Sequence, residues 1–303
     1  MTATMSDHDG AYGDVEGSVL AWAPTRPDVH AVLVVGSRAR ADLPADEFSD
    51  LDIVLFADEP ARLIDADDWL SEIGPVVMSF IEQTALGGWR ERRAVFDPML
   101  DVDFSVVPTS LLDLDFAVPG PVVDVIRPVV SRGYRILYDP CGRLTSLEGA
   151  SATPATATAW TPPDETPFTN VVIDFWYHAM WTTKKALRGE LLVARRGLDN
   201  SMKGNLLVAI EWRARLDRSD VDTWHGFRFF EEWGDQDEVR SLHATYGAAT
   251  IEHLVDDLAT TMDLFSRVAQ GVADRLGYTY PERAEGHVRD WIRRTVAETP
   301  TRS

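Results

Sequence analysis

Cysteine is all but missing from this 303-residue chain: Cys141 stands alone, so no internal disulfide can form and no cysteine-rich zinc site can be built. No stretch reaches the roughly 18 consecutive apolar residues of a membrane span. The first residues, Met1 to Gly10, are polar and acidic, without the basic-then-apolar order of a secretion signal. A soluble, cytoplasmic protein that does not enter a membrane is expected. Basic residues are also scarce, 29 Lys and Arg against 49 Asp and Glu, a formal net charge of −20. Such a field repels nucleic acid, and neither half carries a basic stripe, which argues against a nucleic-acid polymerase. Seven histidines (His8, His30, His178, His225, His243, His253 and His287) show no H-E-x-x-H or comparable pairing, so they read as packing or surface residues.

What is present suffices for two cores. Hydrophobic residues make up 45% and aromatics 10% of a chain about as long as a single core allows. The first half reads as mixed strands and helices. A short helix is expected over 12–28, strands over Ala31–Val35 and Ser49–Phe56, and a helix over Asp65–Ile73. Further strands are expected over Val76–Phe80 and Met99–Val107, then a helical patch near 110–116 and a segment at Arg135–Tyr138. Ala, Thr, Ser and Pro crowd the stretch from Ser146 to Pro167, a composition with little to anchor a core. We therefore divide the chain into a first domain (1–150), a linker (151–167) and a second domain (168–303). In the second, helices are expected over Asn170–Arg195, Met202–Leu216, Gln236–Tyr246, Ile251–Leu276 and Glu285–Thr295, with Gly277 placed as a left-handed cap. Six tryptophans here (Trp176, Trp181, Trp212, Trp224, Trp233, Trp291) read chiefly as bundle core.

The chemistry lies in the first half. Residues two apart on a strand share a face, so Asp50 and Asp52 of "SDLD" project together while Leu51 and Ile53 turn inward. Two carboxylates about 4 Å apart repel by about 4 kcal/mol at an effective dielectric near 20. A hard divalent cation, magnesium for preference, cancels that charge and still leaves positions for phosphate oxygens. Gly36-Ser37 ends the preceding strand. Glycine admits close backbone approach, and the amides with the Ser37 hydroxyl suit a phosphate, with Arg38 and Arg40 near. The later strand "MLDVDFSVVP" puts Asp101, Asp103 and Ser105 on one face. An aspartate from it, set beside Asp50 and Asp52, would complete a metal cluster and sit where an acceptor hydroxyl must lose its proton.

The pattern Gly-Ser, D-x-D and a later Asp resembles the nucleotidyltransferase superfamily, and more narrowly the aminoglycoside 6-adenylyltransferases that modify streptomycin. The matching text is "VVGSRARADLPADEFSDLDIVLF", "WLSEIG" and "MLDVDFSVVP", continued by "FWYHAMWTTKKALRGEL", "LDNSMKGNLLVAIEW" and "VADRLGYTYP", from about residue 12 to 295. The resemblance implies an α/β (α+β) nucleotidyltransferase domain with a mixed sheet, followed by an all-α helical bundle that closes over the nucleotide. It implies metal ligation by Asp50 and Asp52, with Asp103 as third ligand and proton acceptor. Gly36, Ser37 and Arg38 would bind the nucleotide, together with Lys184 or its neighbour Lys185.

By the same resemblance, AMP passes from magnesium-ATP to a hydroxyl of a cationic aminoglycoside, and pyrophosphate leaves. "DTWHGFRFFEEW" departs from the family's pattern and lacks a lysine expected near Gly226, so no acceptor-pocket residues are carried over. Glu82, Glu231 and Glu232 are acidic candidates for drawing in a cation. Rival readings are the same chemistry on another small molecule or a protein side chain, and an antitoxin-type binding module without catalysis. The oligomeric state is left open.

Overall fold

Among the described residues the strands fall in the first half and the second half is helical, which separates a sheet from a helical assembly. The computed structural model describes residues 5–40, 45–84, 89–115, 118, 120–147, 160–223 and 226–298. They divide into one unit spanning Met1–Thr158 and another spanning Ala159–Ser303. Residues 151–159 of the expected linker, with Trp224 and His225, lie outside the described residues.

The first unit holds α1 (Met5–Trp22), β1 (Val29–Val35), β2 (Leu51–Ala57), α2 (Pro60–Asp65), β3 (Val76–Gln83), β4 (Arg90–Phe96), β5 (Leu100–Pro108), α3 (Pro121–Val130) and β6 (Arg135–Tyr138). The six strands form one sheet in the order β3-β4-β5-β2-β1-β6. The β2–β5 pair is parallel and the other pairs are antiparallel, so the sheet is mixed as expected. One face buries Leu51, Ile53, Leu55, Val102, Phe104 and Val106 against α1 and the Trp69 turn. Trp22 stacks on Trp69 at 5.0 Å, and Phe104 meets Trp69 edge-on at 5.0 Å. The other face is covered by Val123 and Val130 of α3 over Ala31, Leu33, Phe56 and Val107. The carboxylates expected from the sequence on β2 and β5, Asp52 and Asp103, lie on this second face.

Several boundaries differ from the expected ones. The helix expected over Asp65–Ile73 is two pieces, α2 and a tight turn at Asp68–Glu72, because Pro60 starts a helix well and the chain turns extended at Ala66. Strand β4 and helix α3 are not anticipated by the sequence pattern. Four charges in seven residues mask the buried side of β4, formed by Arg92, Ala94 and Phe96.

The second unit is helical: α4 (Glu165–Leu187), α5 (Leu191–Arg196), α6 (Lys203–Asp217), α7 (Phe230–Trp233), α8 (Gln236–His243), α9 (Ile251–Leu276) and α10 (Glu282–Glu298). Helix α4 starts at Glu165, inside the expected linker, since Pro167 lies in the first turn, where no amide donor is needed. A wide turn at Gly197–Met202 joins α5 to α6, with Gly197 packed so tightly that a Cβ would stand 2.5 Å from Thr182 Oγ1. Thr250 caps α9 by accepting from the His253 amide, and Gly277 ends it at φ 70°, as expected from the sequence. Phe175 and Phe265 stack at 3.6 Å in the centre of this core.

Candidate active site

Directly opposed residues in neighbouring strands share a face. The register of the first unit runs Val35, Asp52, Asp103, Arg93 and Phe80 across five adjacent strands. Asp52 and Asp103 therefore stand side by side on β2 and β5. Asp50 lies just before β2 rather than within it, a correction to the expected strand start at Ser49. Arg38 explains the difference: its guanidinium donates to the Ser49 oxygen at 2.8 Å and the Asp50 oxygen at 3.1 Å, taking acceptors that a neighbouring strand would otherwise use. The Asp50 carboxylate still joins the group. Ligand oxygens of Asp50, Asp52 and Asp103 all lie within 4.8 Å of one another. Asp101 points to the same side of β5, but the residue that joins Asp50 and Asp52 is Asp103.

Gly36 gives this cluster its wall. Its backbone, at φ 69° and ψ −155°, occupies a region open essentially to glycine alone. A Cβ there would stand 1.9 Å from Asp52 Oδ2. Ser37 opens a single tight turn, Ser37–Ala39, and its Oγ is buried without a hydrogen-bond partner. Arg38, expected beside a phosphate, packs its guanidinium on the Tyr12 ring at 3.6 Å. The Tyr12 hydroxyl in turn accepts from the Asp101 amide at 3.2 Å. Tyr12 and Arg38 thus tie α1, the approach to β2 and the start of β5 together.

Three negative groups in so small a space cannot all stay ionised unaided. Burial pushes the Asp103 carboxyl up to about 8; Arg93 opposes that shift, and Glu91, Asp52 and Asp50 add to it. Burial also raises Asp101, with Arg93 lowering it and Asp50 raising it. Asp103 Oδ1 is buried with no hydrogen-bond partner. A raised carboxyl, an orphaned oxygen and an all-oxygen donor set fit a hard divalent cation.

Sequence reasoning misses Arg93 and Glu91. Arg93 Nη2 reaches Asp103 Oδ2 at 2.8 Å, and its Nε lies 2.9 Å from Glu82 and 3.4 Å from Glu91. Ser105 Oγ donates to Glu91 at 3.3 Å. The available signal was the alternation Glu91, Arg93, Val95 against Arg92, Ala94, Phe96, hidden by charge on both sides.

The remaining expected residues lie in the second unit. Lys184 on α4 stands 5.5 Å from the centre of the Trp291 ring, and Lys185 pairs with Glu190 at 2.8 Å. His178 pairs with Asp174 at 3.2 Å, and Glu231 meets His243 at 3.2 Å. Glu82, by contrast, belongs to the sheet and faces Arg93. Among the described residues no helix is long and apolar enough to cross a membrane.

The family model described as streptomycin adenylyltransferase matches residues 14–295. An aminoglycoside 6-adenylyltransferase of Bacillus subtilis (strain 168) is 23% identical over 266 residues, covering 85% of this chain and 88% of that protein. One from Campylobacter jejuni is 22% identical over 274 residues, covering 88% and 90%. A crystal structure of an aminoglycoside 6-adenyltransferase from Bacillus subtilis covers 92% of this chain and 95% of that one, at 16% identity and a TM-score of 0.44.

Proposed function

Because the chain belongs to the streptomycin adenylyltransferase family and is a nucleotidyltransferase, we propose that it moves AMP from ATP to a hydroxyl of a streptomycin-like aminoglycoside. The observation that carries this reading is the convergence of Asp50, Asp52 and Asp103 beside Gly36 and Ser37. Asp50, Asp52 and Asp103 would hold magnesium, which when bound screens the triphosphate charge and orients its oxygens. Gly36 lets the phosphate approach the backbone, and the unpartnered Ser37 hydroxyl donates to it. Arg38 keeps a positive charge beside that turn. Asp103 accepts the proton of the acceptor hydroxyl as its oxygen bonds to the α-phosphorus. The bond from that phosphorus to the bridging oxygen breaks, and pyrophosphate leaves with the electron pair. Lys184 is retained as a nucleotide-binding residue, to be tested by the KM for ATP in Lys184→Ala. ATP as donor sets the reaction in the cytoplasm.

A net charge of −20 favours a cationic acceptor. Exposed charges beyond about 8 Å are largely screened at physiological salt, so only acidic groups near the site contribute much. Capture of this kind weakens between low and high salt. The intact carboxylate set speaks against a non-catalytic binding module of the antitoxin type.

The deciding experiment incubates the protein with magnesium-ATP and a panel of aminoglycosides and follows pyrophosphate release. Release with streptomycin is the expected result. If streptomycin neither binds nor releases pyrophosphate while another small molecule or a protein acceptor does, the aminoglycoside part of the reading is wrong. Nucleotide binding without release on any acceptor would favour the binding module.

A further inference from the structure

We propose that Arg93 is a positioning residue for nucleotidyl transfer, aiming the Asp103 carboxylate from the strand beside it; this rests on the functional reading above. The register sets Arg93 of β4 directly opposite Asp103 of β5. Its guanidinium bonds Oδ2 at 2.8 Å and leaves Oδ1, buried and unpartnered, as the oxygen open to a further ligand. Torsion about the bond to a carboxyl group is soft and roughly two-fold, so an unheld Asp103 would offer its oxygens over a wide range of angles. One bond to an unheld arginine would not cure that. Here Glu82 at 2.9 Å and Glu91 at 3.4 Å grip the same guanidinium, and Ser105 holds Glu91. The Asp103 orientation is thereby inherited from three neighbouring strands. A cross-strand ion pair serving stability alone would need one carboxylate partner, whereas Arg93 meets three, one of them in the triad. Partners of this kind behind a ligating group typically change metal affinity or activity by about 10–100-fold.

The test compares wild type with Arg93→Met, Arg93→Lys and Glu82→Gln for pyrophosphate release at saturating magnesium-ATP and acceptor. Magnesium alone is titrated calorimetrically into each variant. Arg93→Met is expected to lose roughly 10–100-fold in kcat with a much smaller change in acceptor KM. Its magnesium binding is expected to change by clearly less than kcat: Asp50 and Asp52 remain, and the loss of a neighbouring positive charge offsets part of what a less well-aimed Asp103 gives up. Arg93→Lys should recover part of kcat, since an ammonium reaches Oδ2 but cannot span three carboxylates. Glu82 is exposed, so Glu82→Gln keeps the fold and should show a smaller loss of the same kind. The inference is overturned if folded Arg93→Met keeps kcat within about twofold of wild type, well short of the expected loss. It is equally overturned if magnesium binding falls in step with kcat or, where Arg93→Met does not fold, if Glu82→Gln is unchanged. An active wild type with full-speed variants defeats this inference alone; a wild type that transfers nothing defeats the functional reading and this inference with it.

Discussion

The backbone of Gly36 lies against the carboxylate of Asp52 so closely that a Cβ would stand 1.9 Å from Oδ2 and 2.8 Å from the carboxyl carbon. The glycine that follows β1 and the Asp52 carboxylate on β2 are therefore one device, each fixing where the other can be. Gly36→Ala must either push Asp52 out of the triad or drag the end of β1 away. The backbone strain at that φ adds about 1–3 kcal/mol of destabilisation. We expect urea unfolding to shift by that amount, and transfer to fall at least about 100-fold, as an ångström-scale misplacement can produce. Normal turnover in a folded Gly36→Ala variant would remove the glycine from the site.

Asp50→Asn and Asp52→Asn each take one charge from a crowded group. Metal-free stability is expected to hold or rise, since like-charge repulsion is relieved. Nucleotide transfer is expected to disappear in both. Thermal unfolding without magnesium, beside a pyrophosphate assay with it, separates these effects. Near-normal activity in either variant is the outcome that sinks the metal-site assignment.

Asp101 and Asp103 share a strand face, which makes them a matched pair for testing the proton acceptor. Asp103→Asn should bind magnesium-ATP yet lose about 10²–10⁴-fold in rate, because an amide takes no proton. Asp101→Asn should lose far less. The reverse pattern would move the base from Asp103 to Asp101.

The legible part of this site was the part written in short-range pattern. Gly36-Ser37 at a strand end, D-x-D two residues apart and an aspartate inside an apolar strand need only the period of a strand to be read. The parallel pairing of Asp52 with Asp103 did not follow from that period; it was a condition that the fold had to meet, and the register meets it. Arg93 was illegible because its meaning is entirely cross-strand. Within "RERRAVF" nothing distinguishes it from Arg90 or Arg92, yet Arg90 pairs with Asp65 at 2.7 Å, and Arg92 turns to the opposite face, where it donates to the Ile64 carbonyl oxygen.

In the helical half Ile251–Leu276 was read to the residue, while the one helix expected over Asn170–Arg195 is two, Glu165–Leu187 and Leu191–Arg196. The shortest helix was not read at all. Phe230–Trp233 is a single turn, held largely by the packing of Phe227, Phe230 and Trp233 around one another. Arg38 shows a different limit. Its proximity to Gly36 suggested a phosphate, while its bonds to the Ser49 and Asp50 carbonyl oxygens depend on a chain reversal that charge alone cannot reveal.

Metal binding itself should release a proton, and the sign can be worked out from Asp103. Its ordinary value of 3.8 is pushed up to about 8, first by burial and then by the neighbouring carboxylates, with Arg93 opposing. Between those two values the metal-free native protein holds a proton that the unfolded chain has lost. Its stability therefore falls as pH rises through that window. A divalent cation favours the charged carboxylate and expels the proton. At pH 7, calorimetric titration with magnesium in buffers of different ionisation enthalpy should show release approaching one proton, fading by about pH 9, where Asp103 is already ionised. Affinity for magnesium should rise with pH across the same range. Asp103→Asn should abolish the release without abolishing all binding, because Asp50 and Asp52 remain. If magnesium binds the wild type at pH 7 with no proton released, or if Asp103→Asn releases as much, then Asp103 is not the protonated member of the triad.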